Sequence, residues 1–321
     1  MPESTTPITP LIEPPAKSVI PPTPGEVITS TLTNCSYIIG EKIGEGSFGV
    51  VYGCVDDWNN DLAAKILKPK RSYEEVKASG IAEMQKLFLL RHPHITYFFD
   101  AFEYRDTFYI ITERCRYSLA DFFTMDWFEG HLWISPLARC LLQAVHFIHL
   151  NGLVHQDIHA GNVFALSARN EMDPGDHGAT QFRLGDLGVA KLLSEIDPAN
   201  TRAPWMLPPE VIDQSEFGAL DHRIDIYHCG LLFLQLAHSK ELRFTTEEIK
   251  AGKPRQMALQ LPAPLNFALE KALRRHVSKR TESAKELWRD LNSPTQPAQG
   301  EAEQPQAPTA SEAPPPAADQ G

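Results

Sequence analysis

The decapeptide Leu153-Val154-His155-Gln156-Asp157-Ile158-His159-Ala160-Gly161-Asn162 constrains this 321-residue chain more than any other stretch. It places a carboxylate and an amide five residues apart, directly after a segment of helical apolar spacing that Asn151-Gly152 stops. One short loop then carries a group able to accept a hydroxyl proton and an oxygen able to hold a hard metal ion. That is half of a site, and the other half has to come from elsewhere in the chain.

Proline usage locates the folded part. Residues 1 to 35 hold eight of the 26 prolines and residues 292 to 321 hold seven, and neither end shows hydrophobic periodicity. Such segments bury too little apolar surface to offset the entropy of ordering. Disordered tails are therefore expected, Pro-rich over 1–35 and acidic and Pro/Ala-rich over 292–321, with the folded domain over 36–291. Of the formal net charge of −11, the first tail contributes −2 and the second −4, leaving −5 on the folded part. An acidic chain without a basic stripe argues against nucleic acid as the main partner. Cys35, Cys54, Cys115, Cys140 and Cys229 are odd in number and lack metal-ligand spacing, so they read as reduced, packed thiols. The longest apolar stretch, near Leu231 to Leu236, is too short to span a bilayer, and no basic start followed by an apolar run opens the chain. A soluble, cytoplasmic protein with no membrane span is expected.

In chain order the first motif is Ile43-Gly44-Glu45-Gly46-Ser47-Phe48-Gly49-Val50-Val51-Tyr52. A G-x-G-x-x-G alone discriminates poorly, because in dinucleotide-binding folds its third Gly opens a helix. Here Val50 to Val55 is β-branched and aromatic, so the glycines are expected at a hairpin tip, with backbone amides near Ser47 to Gly49 able to close over phosphates. A Gly-rich structural turn is the alternative. Leu62-Ala63-Ala64-Lys65-Ile66-Leu67 reads as an apolar strand interrupted by one cation, which is costly to bury unless anionic groups meet it. Glu83 is the candidate carboxylate, in a helix expected to open with a Ser72-x-x-Glu75 capping box and to carry Val76, Met84 and Leu87. Gly80 inside that helix costs about 1 kcal/mol relative to Ala, which predicts an easily displaced helix. Strands are expected over Ile95 to Phe99 and Thr107 to Thr112.

Ser135-Pro136 reads as an N-cap followed by the first helical residue. Leu137, Leu141, Ala144, Val145 and Ile148 then form one apolar face of a helix that delivers the chain to the loop. Beyond Asn162, strand-like pieces flank the polar segment Ser167 to Gln181, expected as a long hairpin loop whose acidic and His residues are solvated. Phe182-Arg183-Leu184-Gly185-Asp186-Leu187-Gly188 brings a second carboxylate, followed by a glycine that permits a sharp turn. Glu210, after Pro208-Pro209, needs a cation, and Arg280 is the candidate. Ile224 to Leu234 is apolar on nearly every side, as a core helix is, and Asp225 at its start is expected to accept backbone hydrogen bonds.

With these motifs in this order over about 250 residues, the chain resembles the eukaryotic-type (Hanks-type) protein kinase family and is Ser/Thr kinase-like. The resemblance implies an α+β, bilobed protein kinase fold, with a β-rich small lobe over about 36–113 and a mainly helical large lobe over about 114–291. It implies ATP and Mg²⁺ (or Mn²⁺) between the lobes and protein substrates. Gly44, Gly46, Ser47, Phe48 and Gly49 would cover the nucleotide and Val51 and Ala63 would line its site. Thr112 would back the adenine pocket, and the backbone from Glu113 to Cys115 would meet the adenine edge. Lys65, positioned by Glu83, would hold the α- and β-phosphates, and Asn162 and Asp186 the metal. Asp157 would orient and deprotonate the acceptor hydroxyl, with His159 beside the γ-phosphate. His155, Asp225, Glu210 and Arg280 are implied as structural residues.

The chain departs from the family pattern in four places. Gln156 replaces the Arg that grips an activation-segment phosphate in many kinases, and an amide cannot make that charge-assisted fork, so activity without such a phosphorylation is expected. Leu187 replaces the usual Phe of D-F-G. His159 stands where Ser/Thr kinases place a Lys, an arrangement also similar to the aminoglycoside and choline kinases. Thr201 lies nine residues before Glu210, and Ala203 occupies the usual place of the substrate-positioning Thr. A pseudokinase or nucleotide-binding scaffold and a small-molecule kinase of the same fold are the alternatives to a protein Ser/Thr kinase. Pro21-Pro22-Thr23-Pro24 is a candidate polyproline ligand for a partner of the tails.

Overall fold

A computed structural model describes residues 20–46, 49–68, 73–168, 179–196 and 206–293. Six strands and one helix make the small lobe: β1 (Val27–Thr29), β2 (Ser36–Glu45), β3 (Gly49–Asp56), β4 (Asp61–Leu67), α1 (Tyr73–Leu89), β5 (Phe98–Tyr104) and β6 (Thr107–Glu113). The strands form one antiparallel sheet in the order β1-β2-β3-β4-β6-β5. Alternation of side chains along β4 decides which face sees what. Leu62, Ala64 and Ile66 pack with Ile39, Tyr109 and Ile111 in one core, while Leu67 joins α1 in the other. Lys65 therefore points to the α1 side.

The helix α1 buries Val76, Gly80, Glu83 and Leu87. A Cβ on Gly80 would come within 2.4 Å of the Phe108 ring. The glycine expected to make this helix easy to displace instead lets it lie close against β6.

The large lobe continues with β7 (Tyr117–Ser118), α2 (Leu119–Phe122), α3 (Ile134–Leu150), β8 (Leu153–Val154), β9 (Val163–Ala168), β10 (Ala179–Leu184) and β11 (Lys191–Leu192). After these come α4 (Pro209–Ile212), α5 (Gln214–Phe217), α6 (Arg223–Ala237), α7 (Thr246–Lys250), α8 (Lys253–Ala258), α9 (Leu265–Ala272) and α10 (Ala284–Leu291). Every residue of α6 from Ile224 to Leu236 is buried, as its all-round apolar sequence predicts. Antiparallel pairing of β9 with β10, from Val163↔Leu184 to Ala168↔Ala179, forms the expected hairpin and brings Asn162 and Gly185 side by side. Among the described residues, no helix is long and apolar enough to cross a membrane.

Three expectations need correction. Residues 27–29, placed in a disordered tail, form an edge strand on β2; Ile28 is buried and Thr33 Oγ1 donates to Asp100 Oδ2 at 2.6 Å. Three residues are too few for alternation to show in a sequence. The helix α3 starts at Ile134, because a 3-10 turn over Gly130–Trp133 runs straight into it, so Pro136 sits in a first turn that has no use for its N–H. The strand expected over Ile95 to Phe99 runs from Phe98 to Tyr104; Ile95 makes only a single bridge, to Leu184. Ser72, residues 169–178 of the loop expected over Ser167 to Gln181, Thr201, Ala203 and most of both tails lie outside the described residues.

Candidate active site

Lys65 Nζ donates to Glu83 Oε1 at 2.7 Å and to Asp186 Oδ1 at 2.8 Å. Three segments thereby meet on one cation: β4, the buried face of α1 and the turn after β10. Burial would lower the Lys65 pKa, but the two carboxylates outweigh it and raise the pKa. Asp186 responds in the opposite direction: burial would raise its pKa, and Lys65 and the Gly188 N–H bring it below the ordinary carboxylate value. Asp186 is held in the left-handed region, at φ 55°, and a Cβ on Gly188 would lie 3.1 Å from both Asp186 Oδ1 and Glu83 Oε2. A side chain there would crowd the two carboxylates that converge on it.

The loop between β8 and β9 hangs from α6. Asp225, fully buried, accepts from His155 N at 2.8 Å and from Gln156 N at 2.7 Å, while His149 Nε2 meets its Oδ2 at 2.8 Å. Burial alone would raise the Asp225 pKa, but His149, His155 and the backbone donors bring it down to about 2. His155 Nδ1 faces the Asp157 N–H at 3.3 Å, so Nε2 carries the proton and donates to Gly185 O at 3.0 Å. This imidazole fastens the loop to the segment that bears Asp186. Gln156 takes the positive φ, 71°, that turns the chain here, and its side chain is buried.

Asp157 and Asn162 then meet. Asn162 Nδ2 donates to Asp157 O at 2.9 Å and lies 3.3 Å from Asp157 Oδ2, and among the described residues no donor meets Asn162 Oδ1. His159 Nδ1 accepts from Gly161 N at 3.0 Å, and its Nε2 faces Asp157 Oδ2 at 3.6 Å. Burial would raise the Asp157 pKa, yet the neighbouring His159, with His155 and His228 beyond it, holds this carboxyl below the ordinary value. It is a carboxylate at neutral pH, able to accept a proton.

A cavity of about 750 Å³ separates the lobes. Ile43, Gly44 and Gly46 border it from one side, Asn162 and Asp186 from the other, and Lys65 and Glu83 close its inner end. Cross-strand register explains the lining: Val51 pairs with Lys65 and Lys65 with Ile110, while Ala63 pairs with Thr112. Glu113, Arg114 and Cys115 form its rear edge. A Cβ on Gly46 would meet nothing, so packing does not impose that glycine; a Cβ on Gly49 would lie 2.6 Å from Ile66 O, so packing does impose this one. Ser47 and Phe48 lie outside the described residues.

Glu210 and Arg280 are both fully buried at their side chains and form a two-pronged pair, Nη1 to Oε1 at 2.6 Å and Nη2 to Oε2 at 2.7 Å. Arg274 O, Arg223 O and Arg275 O accept the remaining guanidinium protons at 3.0 to 3.3 Å. The pair is far from bare, which is what makes its burial tolerable.

Sequence reading missed three neighbours of the site. Thr96 borders the cleft and donates through Oγ1 to Leu184 O at 3.2 Å; Asp121 borders it while forming a capping box with Ser118; His149 braces Asp225. None of the three left a signal in the sequence; His149 is one residue before the end of α3 and reads as an ordinary helix-end histidine.

Comparison with known proteins agrees with this geometry. The family model "Protein kinase domain" matches residues 37–297. Relatives include the serine/threonine-protein kinase TAO2 of Xenopus laevis, 28% identical over 220 residues that cover 65% of this chain and 20% of that protein. TAO3 of Rattus norvegicus is likewise 28% identical over 220 residues, covering 22% of its length, and TAO2 of Homo sapiens shows the same identity over 16% of its own. The matched stretch spans about a fifth of these relatives. Lobes, cleft and family match agree, and the chain belongs to the protein kinase family.

Proposed function

We propose that this chain transfers the γ-phosphoryl group of ATP to Ser or Thr hydroxyls of protein substrates. The observation that carries the reading is the double pairing of Lys65 with Glu83 and Asp186 beside the Asp157–Asn162 contact. Lys65 is held so that its ammonium can meet the α- and β-phosphates. Asp157 accepts the proton of the acceptor hydroxyl as that oxygen bonds to the γ-phosphorus and the bond to the β-phosphate oxygen breaks, releasing ADP. Placement and charge stabilisation supply most of the acceleration, since the phosphoryl group carries its own reactivity. The names of the TAO relatives favour Ser/Thr as the acceptor.

The donors fit a hard divalent cation. Asp186 Oδ and Asn162 Oδ1 are both oxygens, as Mg²⁺ or Mn²⁺ require. Among the described residues no group of three or more His, Cys, Asp or Glu is placed to hold a metal, so Asp186 and Asn162 would hold such an ion together with ligands that the protein does not supply. Bound there, the ion neutralises charge on the β- and γ-phosphates.

Activity is independent of activation-segment phosphorylation in this reading. Gln156 is a buried amide at the position from which an Arg would reach such a phosphate. A binding-only scaffold is the weaker alternative, because it has no use for a carboxylate such as Asp157 kept ionised to accept a proton.

The test is transfer from labelled ATP with Mg²⁺ to a general Ser/Thr acceptor protein. Asp157→Ala should cut transfer by on the order of 10²- to 10⁴-fold while nucleotide binding persists. A double Ser194→Ala, Thr201→Ala protein should keep its activity. Label on the acceptor that survives Asp157→Ala would refute the assignment of the base, and a folded but inactive double variant would refute independence from phosphorylation.

A further inference from the structure

Away from the nucleotide cleft, the large lobe holds a second cavity of about 250 Å³, and every residue that lines it is basic: Arg255, Arg274, Arg275, His276 and Lys279. It shares no lining residue with the cleft. Arg255 comes from α8 and the other four from the turn that follows α9. Glu270, on the buried side of α9, is the one carboxylate that pairs with them among the described residues. It accepts from Arg255 Nε at 2.6 Å and from Arg274 Nη2 at 2.9 Å. Four permanent cations against one carboxylate leave an excess of three positive charges, on a protein whose formal net charge is −11.

Such a cluster is self-repelling, and the fold holds it in place with neutral groups. Arg274 Nη1 donates to Lys279 O at 3.0 Å and Arg275 Nη1 to Lys250 O at 2.6 Å, with the Arg275 guanidinium 5.9 Å from the Phe217 ring centre. Lys279 is exposed, and among the described residues its ammonium pairs with no carboxylate. The guanidiniums are thus fixed before any ligand arrives, with donors left over on Arg255 and Arg275. Preorganised cations around a small hollow suit a compact anion of charge above one.

We infer that this cavity is a docking site for a phosphoryl group carried on a serine or threonine side chain of a partner protein. Its size favours a side-chain group over a whole nucleotide, since small-molecule pockets run from about 300 to 1,000 Å³. Guanidinium forks match phosphate oxygens two at a time, and phosphoserine carries close to two negative charges where Asp or Glu carries one. The site stands apart from the transfer chemistry, so it does not depend on the function proposed above.

The experiment uses the full chain and three fluorescent peptide pools of identical random flanks, with phosphoserine, serine or glutamate at the centre; binding is read by anisotropy. Inorganic phosphate serves as the competitor. The phosphoserine pool should bind at least tenfold more tightly than either other pool, weaken as salt rises, and be displaced by inorganic phosphate. Lys279→Glu, at an exposed side chain, should lower that affinity about tenfold or more with transfer in the cleft unchanged, and Arg275→Gln should act in the same direction. Equal binding of the phosphoserine and glutamate pools, or undiminished phosphoserine binding by both folded variants, would overturn the assignment. So would displacement of the phosphoserine pool by ATP at cleft-saturating concentration but not by phosphate.

Discussion

Asp157 sits between two histidines that do different jobs. His155 spends both ring nitrogens on the backbone and holds the loop's shape, whereas His159 turns its Nε2 toward the carboxylate itself. Because His159 helps depress the Asp157 pKa, this carboxyl, the proposed base, stays ionised further into acid than an isolated carboxyl would. Activity should therefore fall only when the pH drops below the ordinary carboxylate range. Removing the imidazole, in His159→Ala, should move that acid limb of kcat to higher pH, which a pH–rate profile reads directly; an unmoved limb would mean that the pairing has no hold on the base. Lys65, Glu83, Asp157, Asn162 and Asp186 were legible in the sequence because each is a chemical group that is expensive to place without a reason. Thr96, Asp121 and His149 were not: each also makes an ordinary local contact, a hydroxyl to a carbonyl, a helix cap or a helix end, and nothing in composition separates the two uses.

At the scale of elements, α1 shows how a local propensity is overruled by tertiary contact. Gly80 weakens an isolated helix, but in place it allows α1 to approach Phe108 and so carries Glu83 to Lys65. Gly80→Ala, which raises helix propensity, should destabilise the protein by roughly 1–3 kcal/mol through overpacking, read as a lowered urea midpoint. It should also reduce kcat by displacing Glu83, and Phe108→Leu should restore part of both losses. A stabilised Gly80→Ala protein would show that the ring has room to move. The helix α6 and the β9–β10 hairpin were readable from pattern alone, the first by its unbroken apolar surface and the second by two strand-like runs flanking a polar segment. The edge strand β1 and the true start of α3 were not, because a three-residue pairing and a 3-10 entry turn depend on neighbours distant in sequence or on backbone geometry.

Over the whole molecule, the buried acid on α6 ties folding to the loop that carries Asp157. The Asp225 pKa, lowered to about 2, means that its ionised form is favoured in the folded state. This contribution is fully present above the unfolded carboxyl value near 4 and is lost as the pH falls from there toward 2; it amounts to roughly 2 kcal/mol. Asp225→Asn should flatten that part of the stability curve in acid urea titrations, and an unchanged slope would show that other carboxyls dominate. Such loss is not confined to the large lobe, for the loop that Asp225 suspends faces a cation that belongs to the small one. Lys65 is anchored on β4 yet bonds to Asp186 on the far side of the cleft, so the ammonium proposed as a phosphate ligand also serves as a clasp across the two halves. Replacing this lysine would therefore also unfasten the lobes: the substituted protein would be a differently shaped body in solution, with a larger radius of gyration, and a poor stand-in for the intact protein in any assay of what it touches.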